Sequence, residues 1–470
     1  MLLAVGLYSE PYTASLEALQ LYSAGVRAAL SSDPGAARPL LERAIVIDPK
    51  FAMAYAFLGR VEGDMEPGLA AESLRKAYAL RERASDRERF FIDFNYELQA
   101  TGNLERAQRA GELWETTYPR DREPPSLMAW VYQELGKYEP SAEAGRRAIE
   151  IDADFPPGYT NLAWADVFLG KLPEAAATLQ QAEARKIQVP DFLILRYCLG
   201  FLNGDHAAME RAAARAKQRS GAEDWMAAAE AGMQAYHGRF AEAQRLSRRA
   251  TDLARQGAQT ERAAMFLAGA AVRAALFDER AEARRMAAEV QALSSSREVS
   301  YGAALALALA GDTARAEGIA NNLSRRFPQD TCVRSMYVPV VRALAAVNGG
   351  DTEGALAALR VATPYELAVP GSWFGFYGNL YPVYVRGLAY LRAKRGGEAT
   401  AEFQKMLAHR GNMFDDPADV AARLELARAQ VLAGGYTGKA AYRDFLALWK
   451  EADRGLALRR EAEAEYANLP

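Results

Sequence analysis

The sequence predicts an all-α protein built as a stack of helix–turn–helix units, and three observations predict it. Gly102, Gly136, Gly170, Gly204 and Gly238 follow one another at intervals of 34 residues. Each closes one patch of apolar and aromatic residues and opens a second, as in Gly136-Lys137-Tyr138, Gly170-Lys171-Leu172 and Gly238-Arg239-Phe240. Prolines (Pro119, Pro124-Pro125, Pro156-Pro157 and Pro190) punctuate the joins between units. Proline there stops one helix and starts the next at its first position. The turn between two tightly packed antiparallel helices needs a residue that tolerates φ > 0, and glycine does so at least cost. Each unit touches only its neighbours, so 470 residues grow as one array.

Composition narrows the function classes. Half of the residues are hydrophobic, and alanine, which suits closely packed helices, is frequent. The 57 basic and 60 acidic residues leave a net charge of −3, against any broad attraction to nucleic acid or anionic lipid. Two cysteines, Cys198 and Cys332, give neither a disulfide framework nor a metal cluster and fit a reducing compartment. The opening residues Met1 to Tyr8 are apolar but lack a basic leader region and fall far short of the roughly 20 residues that span a bilayer. The sequence therefore reads as a chain without membrane insertion, and cytoplasmic.

Taken in order, residues 1–12 read as an N-terminal tail. Residues 13–30 carry Leu16, Leu19, Tyr22, Val26 and Ala29 at helical spacing, broken at Ser31-Ser32-Asp33-Pro34-Gly35. A partner helix follows to Pro49, then a helix from Phe51 to Glu62 that stops at Gly63-Asp64. Glu66-Pro67-Gly68 leads into a helix over 70–80. Residues 13–89 thus read as irregular repeats, 90–220 as regular ones and 221–363 as looser ones. In the last of these Asp278 stands where a glycine would, and Gly311 and Gly350 recur. Residues 385–470 close the chain with Gly396-Gly397 and Gly434-Gly435. Residues 364–384 break the pattern: seven aromatics lie among three prolines and three glycines, which predicts an ordered loop or broken helix, not a linker.

The pattern resembles the tetratricopeptide repeat (TPR) family. Around Gly170, Tyr159, Leu162, Ala163, Ala175, Leu179 and Ala182 fall on the family's signature positions. Around Gly136, Ala129, Tyr132, Tyr138 and Ala148 do so. The segment from Ala37 to Ala44, ending Ile47-Asp48-Pro49, reads as the second helix of an earlier repeat. The resemblance implies a TPR solenoid, a right-handed superhelix of about eleven antiparallel helix pairs. A narrower resemblance rests on the Ala14–Leu19 run, Ala-Thr-Pro-Tyr-Glu-Leu at 362–367, the run from Leu380 to Gly387, Glu402-Phe403-Gln404-Lys405, His409-Arg410-Gly411 and the run from Phe445 to Lys450. These look like the C-terminal repeat modules of acidobacterial eukaryotic-like serine/threonine kinases. Similar modules also follow winged-helix DNA-binding domains. If the chain is a fragment of a membrane-anchored kinase, its place is extracytoplasmic.

Motifs for chemistry are missing. A kinase needs a glycine-rich loop, a strand lysine, a catalytic Asp and a metal-binding Asp. His409-Arg410 is followed by Gly411, and Asp93-Phe94, Asp191-Phe192 and Asp444-Phe445 are not followed by glycine. His206, His237 and His409 stand far apart, outside any metal-binding spacing. The chain reads as non-enzymatic, with no cofactor, no metal and no catalytic residue.

The functional expectation is geometric. The resemblance implies that the first helix of each pair lines a concave groove that binds a partner protein or peptide. Tyr96, Trp130 and Trp164 stand at one register, 34 residues apart, with Gln99, Gln133 and Asn161 beside them. Aromatics beside amides suit peptide recognition; the alternative is that the rings pack between repeats. The insert offers a second candidate, a binding loop of Tyr365, Trp373, Phe374, Phe376 and Tyr377, or else a plug between two repeats. A carboxylate clamp is not expected, since Asn161 lacks basic partners at Ser126, Trp130, Asp191 and Leu195. Three readings follow: a protein-binding scaffold in bacterial signalling, the regulatory module of a kinase or winged-helix regulator, and a self-associating array.

Overall fold

A computed structural model describes residues 13–30, 34–63, 66–219, 221–414, 416–434 and 437–469. The expected tail at 1–12 and the turn residues Ser31-Ser32-Asp33, Asp64 and Gly435 lie outside them. Among the described residues every regular element is helical, and none is a strand. They form twelve helix–turn–helix units and a last helix, Ala457–Ala467. The units run from Leu16–Leu30 with Pro34–Ile47, through Glu123–Glu134 with Tyr138–Ile151 and Pro156–Phe168 with Leu172–Ala184, to Pro417–Leu432 with Thr437–Leu448.

Local sequence explains the elements. In Tyr138–Ile151 the buried residues Tyr138, Ser141, Ala142, Gly145 and Ala148 recur three or four apart, one apolar stripe on an otherwise charged helix. Pro124, Pro156 and Pro417 sit in first turns, where a missing N–H costs nothing. Ser85 and Glu88 close a capping box at the start of Asp86–Asn95. Gly145 admits the next repeat: a Cβ there would lie 3.0 Å from the backbone of Leu162.

The turn glycines do what their spacing predicts. The five at the 34-residue interval have φ between 69° and 72°. At Gly136 the N–H bonds Gln133 O and that of Lys137 bonds Tyr132 O, at 2.9 and 2.7 Å, a Schellman stop. Asp278 takes the same left-handed conformation with φ 62°, as do Gly311 and Gly350. One expectation is corrected. Gly396-Gly397 is not a turn: Lys394 holds the left-handed position with φ 58°, and Gly396 begins the helix Gly396–Ala408. Gly396 serves close approach instead, since a Cβ there would lie 2.6 Å from the Ala433 nitrogen.

The chain divides into two compact units. The first holds residues 1–200, 206–222 and 329–331; the second holds 201–205, 223–328 and 332–470. In the first, second helices such as Tyr138–Ile151 pack between their own partner and the next first helix, so that first helices such as Glu123–Glu134 and Pro156–Phe168 touch and share one face. In the second unit the same scheme runs on, and its last residues return to the Gly238 turn. Asp453 N–H bonds Gly238 O at 3.0 Å, Asp453 Oδ2 accepts from Ala241 N–H at 2.8 Å, and Trp449 Nε1 donates to Tyr236 O at 3.1 Å. Asp453 thus satisfies a first-turn N–H that a helix leaves without a partner. The first unit repeats the device at Gly102, where Thr331 N–H bonds Gly102 O at 2.9 Å and Thr331 Oγ1 accepts from Leu104 N–H at 3.1 Å.

Candidate protein-binding face

The face formed by first helices is where the predicted residues sit, and its chemistry differs between the units. In the first unit Tyr96 opens a π-helical turn, Tyr96–Thr101, and stacks on Tyr78 with ring centroids 3.9 Å apart. It stays half-buried. Gln99 lies in the same turn against Gly63, and its Oε1 accepts no hydrogen bond among the described residues. Trp130 is half-buried and donates from Nε1 to Glu134 Oε1 at 2.6 Å. Trp164 is 4% exposed and stacks on Phe168 at 5.7 Å.

Two of the predicted amides are spent inside the fold. Gln133 Nε2 donates to Ser141 Oγ and to Asn161 O, both at 3.0 Å. Asn161 Nδ2 donates to Ser126 O at 2.8 Å. They tie successive repeats together and are buried. The structure thus leaves Tyr96, Gln99 and Trp130 as the part-exposed members of the group. Glu123, on the same helix as Trp130, was not singled out in the sequence. Burial pushes its carboxyl up to about 7, against the pull of Arg122. Burial also raises Asp93 and Glu88 from their ordinary values.

In the second unit the equivalent face is occupied by the aromatic insert. It consists of short 3-10 turns, Arg360–Tyr365 and Gly371–Gly375, before the helix Tyr381–Arg392 begins. Trp373 is 6% exposed, Phe376 2% and Tyr377 fully buried; Phe374 and Tyr365 are half-buried. Trp373 meets Trp225 edge-on at 6.0 Å, and Phe374 meets the same ring at 5.6 Å. Tyr377 donates to Glu298 O at 2.8 Å and lies beside Tyr301, which stacks on Tyr337 at 3.8 Å. The insert fits because the face is paved with small residues. A Cβ on Gly269 would stand 2.1 Å from the Gly375 carbonyl oxygen, and one on Gly302 would stand 2.8 Å from the Tyr377 hydroxyl. Glycine nine residues before the turn at Gly269 and Gly302, where the first unit has Asp93, Leu127, Asn161 and Leu195, was the signal available in the sequence.

The insert is also pinned at both ends. Glu366 pairs with Arg386 at 2.6 Å and with Lys405, and Arg386 makes two further bonds to Glu402 at 2.8 and 2.7 Å. At the other end Asn379 Nδ2 donates to Asn412 O at 2.6 Å, and Tyr381 donates to Asp416 Oδ1 at 3.1 Å. Asp416 caps Pro417–Leu432 through Ala418 N–H at 2.9 Å, and burial pushes its carboxyl up to about 7. Among the described residues no group of three or more His, Cys, Asp or Glu is placed to hold a metal, and no helix is long and apolar enough to cross a membrane.

Paired helices, a Schellman glycine at a 34-residue interval and small residues at the helix crossings decide the fold. The units are tetratricopeptide-type helix pairs. No family model and no curated protein matches the chain. Solved structures are similar to it. PilW, a widely conserved type IV pilus biogenesis factor, is 20% identical over 45% of this chain and 98% of its own, with a TM-score of 0.32. Yeast Tom70 is 13% identical over 89% of this chain and 95% of its own, with a TM-score of 0.32. The APC/C hetero-tetramer Cut9–Hcn1 gives 13%, 99%, 93% and 0.38 for the same measures.

Proposed function

We propose that the chain is a non-enzymatic scaffold that binds a protein segment on the first-helix face of its first unit, in bacterial signalling. The observation that supports this is the pair Tyr96 and Trp130. They stand at one register on successive repeats, and both stay part-exposed, where Trp164 at the next repeat is buried. Gln99 flanks them in a π-helical turn, its side-chain carbonyl oxygen buried against Gly63. The partner's apolar side chains would lie against the two rings, since Trp and Tyr dominate interface hot spots.

The test places a photo-crosslinking residue at Trp130 and, as a control, at Leu113, a 60% exposed residue on a second helix. Segments captured only from position 130 are then synthesised and their affinities measured. The Tyr96→Ala/Trp130→Ala variant should lose at least about tenfold in affinity with its helical circular dichroism unchanged. Equal capture from both positions, or unchanged affinity, sinks the reading.

A second reading makes the chain the regulatory module of a serine/threonine kinase or winged-helix regulator. It is favoured by the convergence of Glu366, Arg386, Glu402 and Lys405, which carry the narrower resemblance, in one ion-pair cluster. Sequencing the genomic reading frame upstream decides it. A catalytic or winged-helix domain in frame supports this reading, and an unrelated gene behind a stop codon removes it.

A further inference from the structure

We propose that the second unit carries a binding site for a small amphiphilic anion, a carboxylate on a compact apolar body such as a medium-chain carboxylate, in the crevice between Phe327, Val338 and Val361. The crevice encloses about 340 Å³, at the lower end of the range for small-molecule sites. Phe327, Pro328, Val338 and Pro339 give it apolar walls. Val361 stands at it 48% exposed, one of five large hydrophobic residues left exposed among those described. Arg334 and Arg342 also line it, and no carboxylate does. Both arginines are exposed, and neither has an ion-pair partner among the described residues. Arg342 donates to Asn321 Oδ1 at 3.1 Å. Arg334 belongs to a π-helical turn, Val333–Tyr337, a rare conformation that gathers at functional sites.

The repeat supplies an internal control. A crevice of about 270 Å³ in the first unit is built from the same repeat positions. Arg196 stands eight residues before Gly204 as Arg342 stands eight before Gly350. Phe192 and Val338 stand twelve before the same glycines, and Ile187 and Pro328 seventeen after the preceding ones, Gly170 and Gly311. Thirteen residues after those preceding glycines one crevice has Glu183 and the other Ser324, and the linings differ again where Arg215 stands for Val361 and Gln188 for Arg334. Glu183 Oε2 accepts from Arg196 Nη2 at 2.9 Å, so the first crevice pairs the arginine equivalent to Arg342, while Arg215 and Arg219 also line it. Ser324 turns its hydroxyl back to Ala320 O at 3.1 Å and leaves Arg342 uncompensated. An anionic head would take the place of that missing carboxylate, in a charge-assisted bond to guanidinium. The body is better an alkyl chain than a peptide. Pro328 and Pro339 have no N–H, and the helical lining spends its own within the helices, so a peptide main chain would find few donors.

Titration calorimetry of the full chain with sodium octanoate tests this. Octanoate should bind saturably at one site, and 1-octanol at least about tenfold more weakly. Ser324→Glu, which installs the sister crevice's carboxylate, should weaken octanoate at least about tenfold, as should Arg342→Gln. Absence of saturable binding overturns the proposal. So does octanol binding as tightly as octanoate, or octanoate affinity unmoved by Ser324→Glu at unchanged helicity. A short leucine-ended peptide that binds where octanoate does not also overturns it, since it assigns the crevice to a chain terminus. If Ser324→Glu loses helicity, Arg342→Gln decides, a loss of at least about tenfold in octanoate affinity supporting the proposal and an unchanged affinity overturning it.

Discussion

Six residues before the turn, the first unit has Tyr96, Trp130 and Trp164; the second has Gly232, Val272 and Leu305. The same repeat geometry therefore builds two different faces. One keeps rings and an amide part-exposed on regular helix pairs. The other is paved with small and aliphatic residues and is filled by residues 370–380 of its own chain, including Trp373, Phe376 and Tyr377. The difference teaches that a helical-repeat face is not a binding surface by virtue of its fold. Side-chain volume at a few registers decides whether it is left for a partner or consumed as core.

The largest expected effect separates the two faces directly. Trp373→Ala removes a 6% exposed ring packed edge-on against Trp225, and should destabilise by about 3–5 kcal/mol, the usual cost of such a cavity. Trp130→Ala removes a half-buried ring and one bond to Glu134, and should cost about 1 kcal/mol or less. Urea unfolding followed by circular dichroism reads both. Equal losses would show that the first unit's face is core as well.

Much of this was legible beforehand, for physical reasons. The 34-residue interval follows from a local demand, a left-handed residue at each turn, and local demands are written in sequence. Asp278 satisfies the demand without glycine, 40 residues after Gly238 and 33 before Gly311. Gly396 misled because glycine has two uses, and close approach to Ala433 is a tertiary fact that spacing cannot show. The predicted ladder met the same limit. Trp130 and Trp164 share a register, yet Phe168 covers the second ring, and what covers a side chain is decided by its neighbours in space. The two crevices needed both the period and the contacts, since Glu183 and Ser324 become comparable only after the turns are aligned.

Protonation sharpens the comparison next. The Asp416 carboxyl is held up to about 7 by burial, with Asp419 adding to the rise and the Ala418 N–H and the Tyr381 hydroxyl opposing it. Its value in the unfolded chain is about 3.9. A raised carboxyl disfavours the charged folded form, so this group's contribution to stability is greatest below pH 4, falls as pH rises from about 4 to 7, and is flat above. Asp416→Asn keeps an effective helix cap and removes that fall, gaining of the order of 2–3 kcal/mol at pH 8 and little at pH 4. Glu123→Gln should do the same for the first unit, whose Glu123 is also held up to about 7. Calorimetry at pH 5 and pH 8 checks both. A difference between variant and wild type that is the same at pH 5 and pH 8 contradicts the assignment.

The smallest effects address the paving itself. Gly269→Ala would thrust a methyl group to 2.1 Å from the Gly375 carbonyl oxygen, where backbone must move, and overpacking of this kind costs about 1–3 kcal/mol. Gly318 is the matched control. It lies in the helix Thr313–Arg326, and a Cβ there meets nothing within 4 Å. Gly318→Ala should therefore stabilise by about 0.5–1 kcal/mol through helix propensity alone. The two substitutions are chemically identical and both fall in helix interiors, so the sign of the difference isolates the insert. If Gly269→Ala were as favourable as Gly318→Ala, residues 370–380 would not be seated against that helix, and the second unit's face would be as open as the first's.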